Sequence, residues 1–307
     1  MSIKERLTLI QKLSGQTQEK LAAELGVSFP TLNSWINGKS VPRKKAAERI
    51  DELFRRLTGG KVIPQVALEA KKQGLSTKRE PYKDVLHTIL NNKDILDQFL
   101  LSLTFNTNRI EGSTLTEPET AAILFENAAL ADKTIIEQME VKNHQAALLF
   151  LFRYVREGVK LDEPFILKMH GILLNGIRED AGRYRNHGVR ITGANVPTAN
   201  HLKIPILMKA LEKDTTAKAK DIVAHAAEIH SRFEKIHPFS DGNGRVGRLL
   251  LTAMLLKENF PPAVIRQEKR RFYILYLNKS QIENDFSLLE DFLADAVLEG
   301  FKILERK

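Results

Sequence analysis

The chain has 307 residues, 43% of them apolar, so it is long enough for two or three folded domains, each with its own core. It contains no cysteine, which excludes disulfide bonds and thiolate metal sites, and no apolar stretch reaches the ~18 residues of a membrane-spanning helix. The net charge is +9, and residues 1–60 carry 11 Lys and Arg against 6 Asp and Glu. We therefore expect a cytoplasmic protein with no membrane partner, whose basic first segment binds a polyanion.

Residues 17–43, TQEKLAAELGVSFPTLNSWINGKSVPR, have the spacing of a helix–turn–helix unit. Gly26 suits the left-handed residue that the turn requires, and Ser28 is the expected N-cap of the second helix. In that helix Leu32 and Trp35 face inward, while small polar side chains face outward and can reach base edges in a major groove. The residues predicted to contact DNA are Ser28, Thr31, Asn33, Ser34, Asn37 and Lys39.

Residues 5–57 resemble the helix–turn–helix domains of bacterial phage-repressor-like regulators. The resemblance implies DNA binding. It also implies a homodimer if DNA is the partner, because one domain of this type normally needs a second copy for tight specific binding. The alternative is a packing or protein-docking module, since small helical domains often have this pattern without binding DNA.

Helical periodicity dominates the rest of the chain, as in the apolar side chains that recur every three or four residues between Val85 and Leu103. The glycines after Thr58 and the polar stretch that ends at Pro81 indicate a connector. Only GVRITGANVPTANH (188–201) alternates, and its Gly, Asn and Pro predict a small β-hairpin. We predict a mostly α fold with that one hairpin, divided into residues 1–58, a linker 59–80, a helical region 81–135 and a core 136–307.

The sequence HPFSDGNGR, residues 237–245, gathers several charged and polar side chains immediately before a long apolar run. Pro238 forces the preceding residue out of helical geometry, so one helix should end near Ile236 or His237 and a second should begin near Asn243. Glycines flank that second start, where free backbone N–H groups and the helix dipole favour an anion. Beyond it, two arginines three residues apart, Arg245 and Arg248, form a phosphate clamp.

Two more residues of this loop supply reactive chemistry. His237 lies at the edge of the anion site, where it can take a proton from an attacking hydroxyl group. Asp241 offers an oxygen ligand for a Mg²⁺ ion that bridges phosphate oxygens. A base, a metal ligand, an anion site and a charge clamp are together what nucleotidyl transfer requires.

The same run matches, position by position, the signature of Fic-domain proteins, His-Pro-Phe-x-Asp/Glu-Gly-Asn-Gly-Arg-x-x-Arg, and the resemblance covers residues 90–295. It implies transfer of AMP from Mg·ATP to a Ser, Thr or Tyr hydroxyl of a protein, with His237 as the base and Asp241 as the metal ligand. The residues it assigns to the nucleotide are Gly242, Asn243, Gly244, Arg245, Val246, Gly247, Arg248 and Tyr273. For Tyr273, a role in the core is equally consistent with the sequence. The resemblance also makes the hairpin a flap that holds the target chain through Ile191, Thr192 and Gly193.

The segment TNRIEG, residues 107–112, matches the inhibitory pattern of the same family at Thr107, Glu111 and Gly112. Because it precedes the core, it resembles the subgroup with an intramolecular, N-terminal inhibitory helix. An empty arginine clamp is an unpaired buried cation, and Glu111 paired with Arg248 would neutralise it and stop a triphosphate from settling. The resemblance therefore predicts an autoinhibited transferase. The alternative is that Glu111 is an ordinary capping or surface charge.

The same residues leave three other functions open. A DNA-binding regulator whose core senses nucleotide would not need His237, whereas a de-AMPylating enzyme would use Glu111 to position a water molecule. A metal-dependent hydrolase would combine His225, His230 and His237 with Asp241. The chain lacks the His-Glu-x-x-His spacing that would support such a site, and His225 and His230 are five residues apart and do not share a helix face. We therefore predict that they have packing roles.

Overall fold

The computed structural model describes residues 2–58, 63–190, 196–217 and 219–306, and within these ranges it is helical throughout, with no strand. The helices are α1 (Ile3–Ser14), α2 (Gln18–Leu25), α3 (Phe29–Ile36), α4 (Lys44–Thr58), α5 (Gln65–Arg79), α6 (Val85–Asn91), α7 (Lys93–Glu111), α8 (Glu117–Glu126), α9 (Ile135–Arg156), α10 (Glu163–Leu173), α11 (Ile204–Thr215), α12 (Ile222–Ile236), α13 (Asn243–Lys257), α14 (Arg270–Glu283) and α15 (Ser287–Leu304). Single 3₁₀ turns lie at His201–Lys203 and Gln267–Lys269. None of the described helices is long and apolar enough to span a bilayer.

The first four helices form a small bundle with its own apolar core. Gly26 ends α2 in the left-handed conformation, with φ at 69°, and the Ser28 hydroxyl accepts the backbone N–H of Thr31 as the N-cap of α3. Both positions agree with the predicted helix–turn–helix. Leu32 and Trp35 are buried, which fixes the polar side of α3 toward the outside.

Part of the segment predicted as a polar connector is helix α5. Its buried Leu68 and Leu75 give it an apolar side that packs on α15, and Lys71 forms an ion pair with Asp291 of α15 at 2.7 Å. Lysines and a glutamine separate these two apolar positions, so the sequence pattern alone does not predict the helix. Tertiary packing on α15, rather than local periodicity, stabilises α5.

The remaining helices surround α13, which is buried along almost its whole length. Helix α12 lies beside α13, and α7, α9 and α10 pack against other sides of it. The apolar side chains between Val246 and Leu256 are buried, which places α13 in the centre of the core. The loop 237–242 between α12 and α13 is thereby held on two well-packed helices.

The beginning of α14 contacts both the N-terminal bundle and the end of α7. Arg271 donates to the carbonyl oxygen of Arg56 in α4 at 3.1 Å, and Arg270 donates to the carbonyl oxygen of Ile110 in α7 at 2.6 Å. Just before α14, the backbone N–H of Gln267 donates to the Asn106 side chain of α7 at 2.8 Å. The carboxyl ends of α4 and α7 are thus attached to the same short stretch of chain.

The predicted β-hairpin at 188–201 is not seen in the described parts of that segment, 188–190 and 196–201, so the described residues are helical instead of mostly helical with a hairpin. The described residues before and after 191–195 are joined through a side chain. The Thr198 hydroxyl donates to the carbonyl oxygen of Val189 at 2.7 Å, and no backbone ladder of β-strands is seen among these described residues. Pro197 has no N–H to give to a ladder, and the Arg185 guanidinium takes the carbonyl oxygen of Ala199 at 2.6 Å. The predicted flap residues Ile191, Thr192 and Gly193 lie outside the described residues.

Candidate active site

The loop between α12 and α13 is held from inside by Asn243. Its side-chain oxygen accepts the N–H of Phe239 at 2.9 Å, and its amide donates back to the Phe239 carbonyl oxygen at 2.8 Å. Phe239 is fully buried and stacks on His170 of α10, with ring centroids 3.7 Å apart. The Asn243 side chain therefore shapes the loop, and only its backbone N–H faces the anion site predicted at the start of α13.

His237 ends α12 in the left-handed conformation, with φ at 52°. Burial lowers the pKa of its imidazole, so the ring is neutral at pH 7. A neutral ring that contacts a carbonyl must donate to it, and Nδ1 lies 3.3 Å from the carbonyl oxygen of Glu234. This assigns the proton to Nδ1 and leaves Nε2 with a free lone pair, the form a general base needs.

Backbone N–H groups at the start of α13 provide the anion site. The first N–H bonded within the helix belongs to Val246, which donates to the Gly242 carbonyl oxygen at 3.0 Å, so the groups before it have no partner in the helix. Gly242 precedes them in the left-handed conformation, with φ at 76°. The side chain of Val246 is buried in the core, so this predicted nucleotide-binding residue turns away from the site.

The two predicted clamp arginines are both buried, and each already holds an acid. Arg245 donates to Glu140 of α9 at 2.6 Å and lies 3.6 Å from Asp241. Arg248 donates to Glu111 at 2.5 Å. Two guanidinium groups thus lie on one helix turn, and the carboxylates paired with them neutralise their charge in this state.

The inhibitory motif and Arg248 lie in direct contact. Besides its bond to Glu111, Arg248 donates from Nε to the Thr107 hydroxyl at 2.7 Å, so both predicted inhibitory residues bind the same guanidinium. Burial would raise the pKa of Glu111, but the charge and hydrogen bond of Arg248 outweigh it and hold that pKa below its usual value. The Glu111 carboxylate also lies where a β-carbon of Gly244 would stand. It thus covers the start of α13 as an anion.

Tyr273 of α14 is buried behind Arg248, whose guanidinium lies 5.9 Å from the ring centre. Its hydroxyl pairs with Nε2 of His230 at 2.6 Å, and burial lowers the pKa of His230 to about 3. Tyr273 therefore supports the arginine from the core, and His230 is a neutral packing residue. Among the described residues no group of three or more His, Asp or Glu side chains is arranged to hold a metal ion, so the histidine cluster weighed as a hydrolase site is not formed.

Asp241 fits the kind of magnesium site that is completed by substrate. It is exposed, and one of its oxygens accepts the N–H of Gly242 at 2.6 Å, which orients the carboxylate at the mouth of the loop. Mg²⁺ is commonly held by one or two carboxylates together with phosphate oxygens, so a single acid beside an anion site meets its requirements.

Three residues that position this site carry no role in the sequence analysis. Arg185 donates to the carbonyl oxygen of His237 at 2.7 Å and so fixes the backbone of the base. His170 pairs with the carbonyl oxygen of Asp241 at 3.1 Å, and Glu140 fixes Arg245. All of these contacts span about 50 residues or more, and no local pattern signals them.

The residues predicted to contact DNA lie together on and just after α3. Ser28 and Thr31 pair through their hydroxyls at 2.8 Å, and the Ser34 hydroxyl pairs with Ser40 at 2.7 Å. Asn33 and Asn37 pair through their side chains at 2.5 Å, and Lys39 is exposed. Local bonds therefore hold these polar groups at the surface of the bundle.

Comparison with known proteins assigns families to two segments of the chain. Residues 160–255 match the Fic/DOC family, and residues 12–58 match a helix-turn-helix family. The first segment contains the loop, α13 and the contacts of His237. The second contains α3.

Curated relatives share the larger part of the chain. A protein adenylyltransferase Fic of Nematostella vectensis is 33% identical over 183 residues, which are 57% of this chain and 42% of the relative. A protein adenylyltransferase Fic of Aedes aegypti is 29% identical over 72% of this chain and 45% of the relative. The chain spans less than half the length of these relatives.

Solved structures support the same fold. A Fic domain containing signaling protein from Bacteroides thetaiotaomicron aligns with a TM-score of 0.66 at 25% identity, over 76% of this chain and 98% of that one. Fic-1 (residues 134–508) from C. elegans aligns with a TM-score of 0.68 at 22% identity, over 93% of this chain and 84% of that one.

Proposed function

The chain carries a Fic domain behind an N-terminal helix–turn–helix domain, and from this premise we propose that it is a protein adenylyltransferase, which transfers AMP from ATP to a hydroxyl side chain of a protein, itself included. The observation that carries the proposal is the neutral His237, whose Nε2 is left as an acceptor at the start of the loop that leads to α13 with its two arginines, Arg245 and Arg248. A site that only sensed nucleotide would have no use for that base.

In the proposed reaction the chain's own groups move one proton and stabilise one leaving group. Nε2 of His237 takes the proton of the target hydroxyl, and the hydroxyl oxygen forms a bond to the α-phosphorus of ATP. The bond from that phosphorus to the bridging oxygen breaks, and pyrophosphate leaves with the electron pair. The N–H groups that begin α13, with Arg245 and Arg248, stabilise the added negative charge. Mg²⁺ held by Asp241 would neutralise phosphate charge when bound.

We further infer that the resting protein is autoinhibited. Arg248 has two ligands from α7, the Glu111 carboxylate and the Thr107 hydroxyl, and a terminal phosphate must displace the first to reach the guanidinium. A phosphate oxygen and a carboxylate compete for the same donors, so the nucleotide binds weakly or out of line while Glu111 stays.

The experiment that tests transfer compares two labels on ATP. Added to a cell lysate with magnesium, the Glu111→Gly protein should increase protein labelling above that of the lysate alone from ATP labelled on the α-phosphate, and should add none from ATP labelled on the γ-phosphate. Label arriving from the γ-phosphate would identify a kinase, and label from neither position in the variant lacking Glu111 would contradict transfer.

We also propose that the N-terminal domain binds DNA as a homodimer, because its α3 presents a row of fixed polar side chains with Lys39 next to it. Selection of bound duplexes from a random pool should enrich one sequence with two half-sites. Replacing Asn33 and Asn37 with alanine should remove that enrichment, since each good base contact is worth ~1–3 kcal/mol of discrimination. Asn186→Ala, an exposed asparagine of the Fic domain, is the matched control. Equal enrichment by all three proteins would exclude base reading by α3.

A further inference from the structure

One acidic side chain near the site is not used by the proposed mechanism. Glu234 lies on α12, one turn before His237, and is only 6% exposed. Its Oε1 atom has no hydrogen-bond partner among the described residues. A buried carboxyl oxygen without a partner destabilises a fold, so a chain that keeps one in its core has another use for it.

Glu234 points at the helix that begins the anion site. Gly247 of α13 faces it so closely that a β-carbon at 247 would collide with Oε1. Gly244 faces Glu111 in the same way, and positions three apart on a helix share one side, with β-carbons ~5–6 Å apart. The two acids therefore lie over the same side of α13. Glu111 lies above Gly244, and Glu234 lies above Gly247, one turn farther from the start of the helix.

The charged and titratable groups around Glu234 come from four helices. They are Glu111 of α7, Arg248 of α13, Tyr273 of α14 and, on its own helix, His230. Burial raises the pKa of Glu234 to about 8 against the opposing effect of Arg248. At pH 7 the side chain thus keeps its proton. It is then a donor without charge, and it does not repel a phosphate.

We propose that Glu234 is a nucleotide-positioning residue, which donates its carboxyl proton in a hydrogen bond to a phosphate oxygen of the triphosphate held by Arg248. This rests on the proposed function, since it places the triphosphate over α13. Three observations agree with a Glu234 carboxyl group that has no partner until the nucleotide is bound. Its oxygen atom has no hydrogen-bond partner among the described residues, it lies over Gly247, and it lies one turn along α13 from the position that Glu111 covers.

The test measures ATP affinity by calorimetry with magnesium at pH 7, in protein that also carries Glu111→Gly. Glu234→Gln keeps a donor of the same shape and should bind ATP within about twofold of the parent. Glu234→Met keeps the volume without the donor and should bind at least about tenfold more weakly, because hydrogen bonds to charged groups are worth this much. Glu228→Gln, an exposed acid on the same helix, is the control and should bind like the parent.

Two further readouts separate positioning from packing. Glu234→Met should unfold at a higher temperature than the parent, because it removes an unpartnered buried carboxyl, while binding ATP less well. Raising the pH from 7 to 9.5 should weaken ATP binding more in the parent than in Glu234→Gln, since only the parent gains a negative charge there. Equal affinity of the Met and Gln variants, or parallel pH profiles of parent and Gln variant, would overturn this role alone. No ATP binding by the Glu111→Gly parent would instead overturn the proposed function as well.

Discussion

Replacing Glu111 with glycine should increase AMP transfer to protein by about 10- to 40-fold. The change removes the carboxylate that occupies Arg248 at 2.5 Å and opens the start of α13 above Gly244. A hydrogen bond between charged groups contributes ~1.5–3 kcal/mol, and the lower half applies here because the Glu111 side chain keeps 38% of its surface in solvent. Each ~1.4 kcal/mol that no longer opposes ATP binding increases the affinity for ATP by a factor of ten. Initial rates of labelling from ATP labelled on the α-phosphate measure the effect.

The chain offers a closely matched control for this variant. Glu126 is also an exposed glutamate at the last position of a helix, and like Glu111 it is followed by a left-handed residue, so Glu126→Gly repeats the backbone change at a distance from the site. Glu111→Gln keeps the length of the side chain and removes its charge, and we expect it to be activated to an intermediate degree. If the transfer rate is unchanged in both Glu111 variants while ATP binding is measurable, autoinhibition by Glu111 is refuted.

His237→Ala should reduce transfer by about 10²- to 10⁴-fold, the usual contribution of a positioned general base, and leave ATP affinity within a few-fold. The measurement is best made in the Glu111→Gly background, where the parent rate is high. His237→Asn tests the backbone separately, because asparagine tolerates the left-handed conformation that His237 adopts at φ 52°. His87→Ala, an exposed histidine of α6, should retain full activity.

The pH profile supplies a second check on the base. Because burial lowers the pKa of His237 below its ordinary value, the active neutral ring persists as the pH falls through 6.5. Activity of the Glu111→Gly protein should therefore be lost only at more acidic pH than a solvent-exposed histidine would give. A rate that falls on acidification with a midpoint above pH 6.5 would assign the proton transfer to another residue.

Local chemistry explains which parts of this molecule can be predicted from its sequence. Pro238 and the glycine at 242 determine where α12 ends and where α13 begins, and both helix limits agree with the prediction. Ser28 identifies the start of α3 for a similar local reason. In each case the signal is a backbone restriction that acts within a few residues, so it can be read without knowing the fold.

Other features depend on partners that are distant in the chain. Helix α5 is stabilised by α15, more than 200 residues away. In the described part of 188–201, Arg185 and Thr198 bind carbonyl oxygens that a strand ladder would use. The pairing of Arg245 with Glu140 likewise joins α13 to α9. Side chains that meet only in the folded core leave no periodicity to detect, which is why Glu140 and the positioning role of Arg185 are found only in the structure.

The space above Gly244, which the Glu111 carboxylate fills, has a consequence for how such a sequence can change over generations. A β-carbon at 244 and a carboxylate from residue 111 require the same volume. Alanine at 244 would therefore evict the acid and crowd the incoming nucleotide in a single step. Substitutions at the two positions are therefore coupled. A descendant that loses the acid at 111 still requires glycine at 244 as long as it binds ATP there.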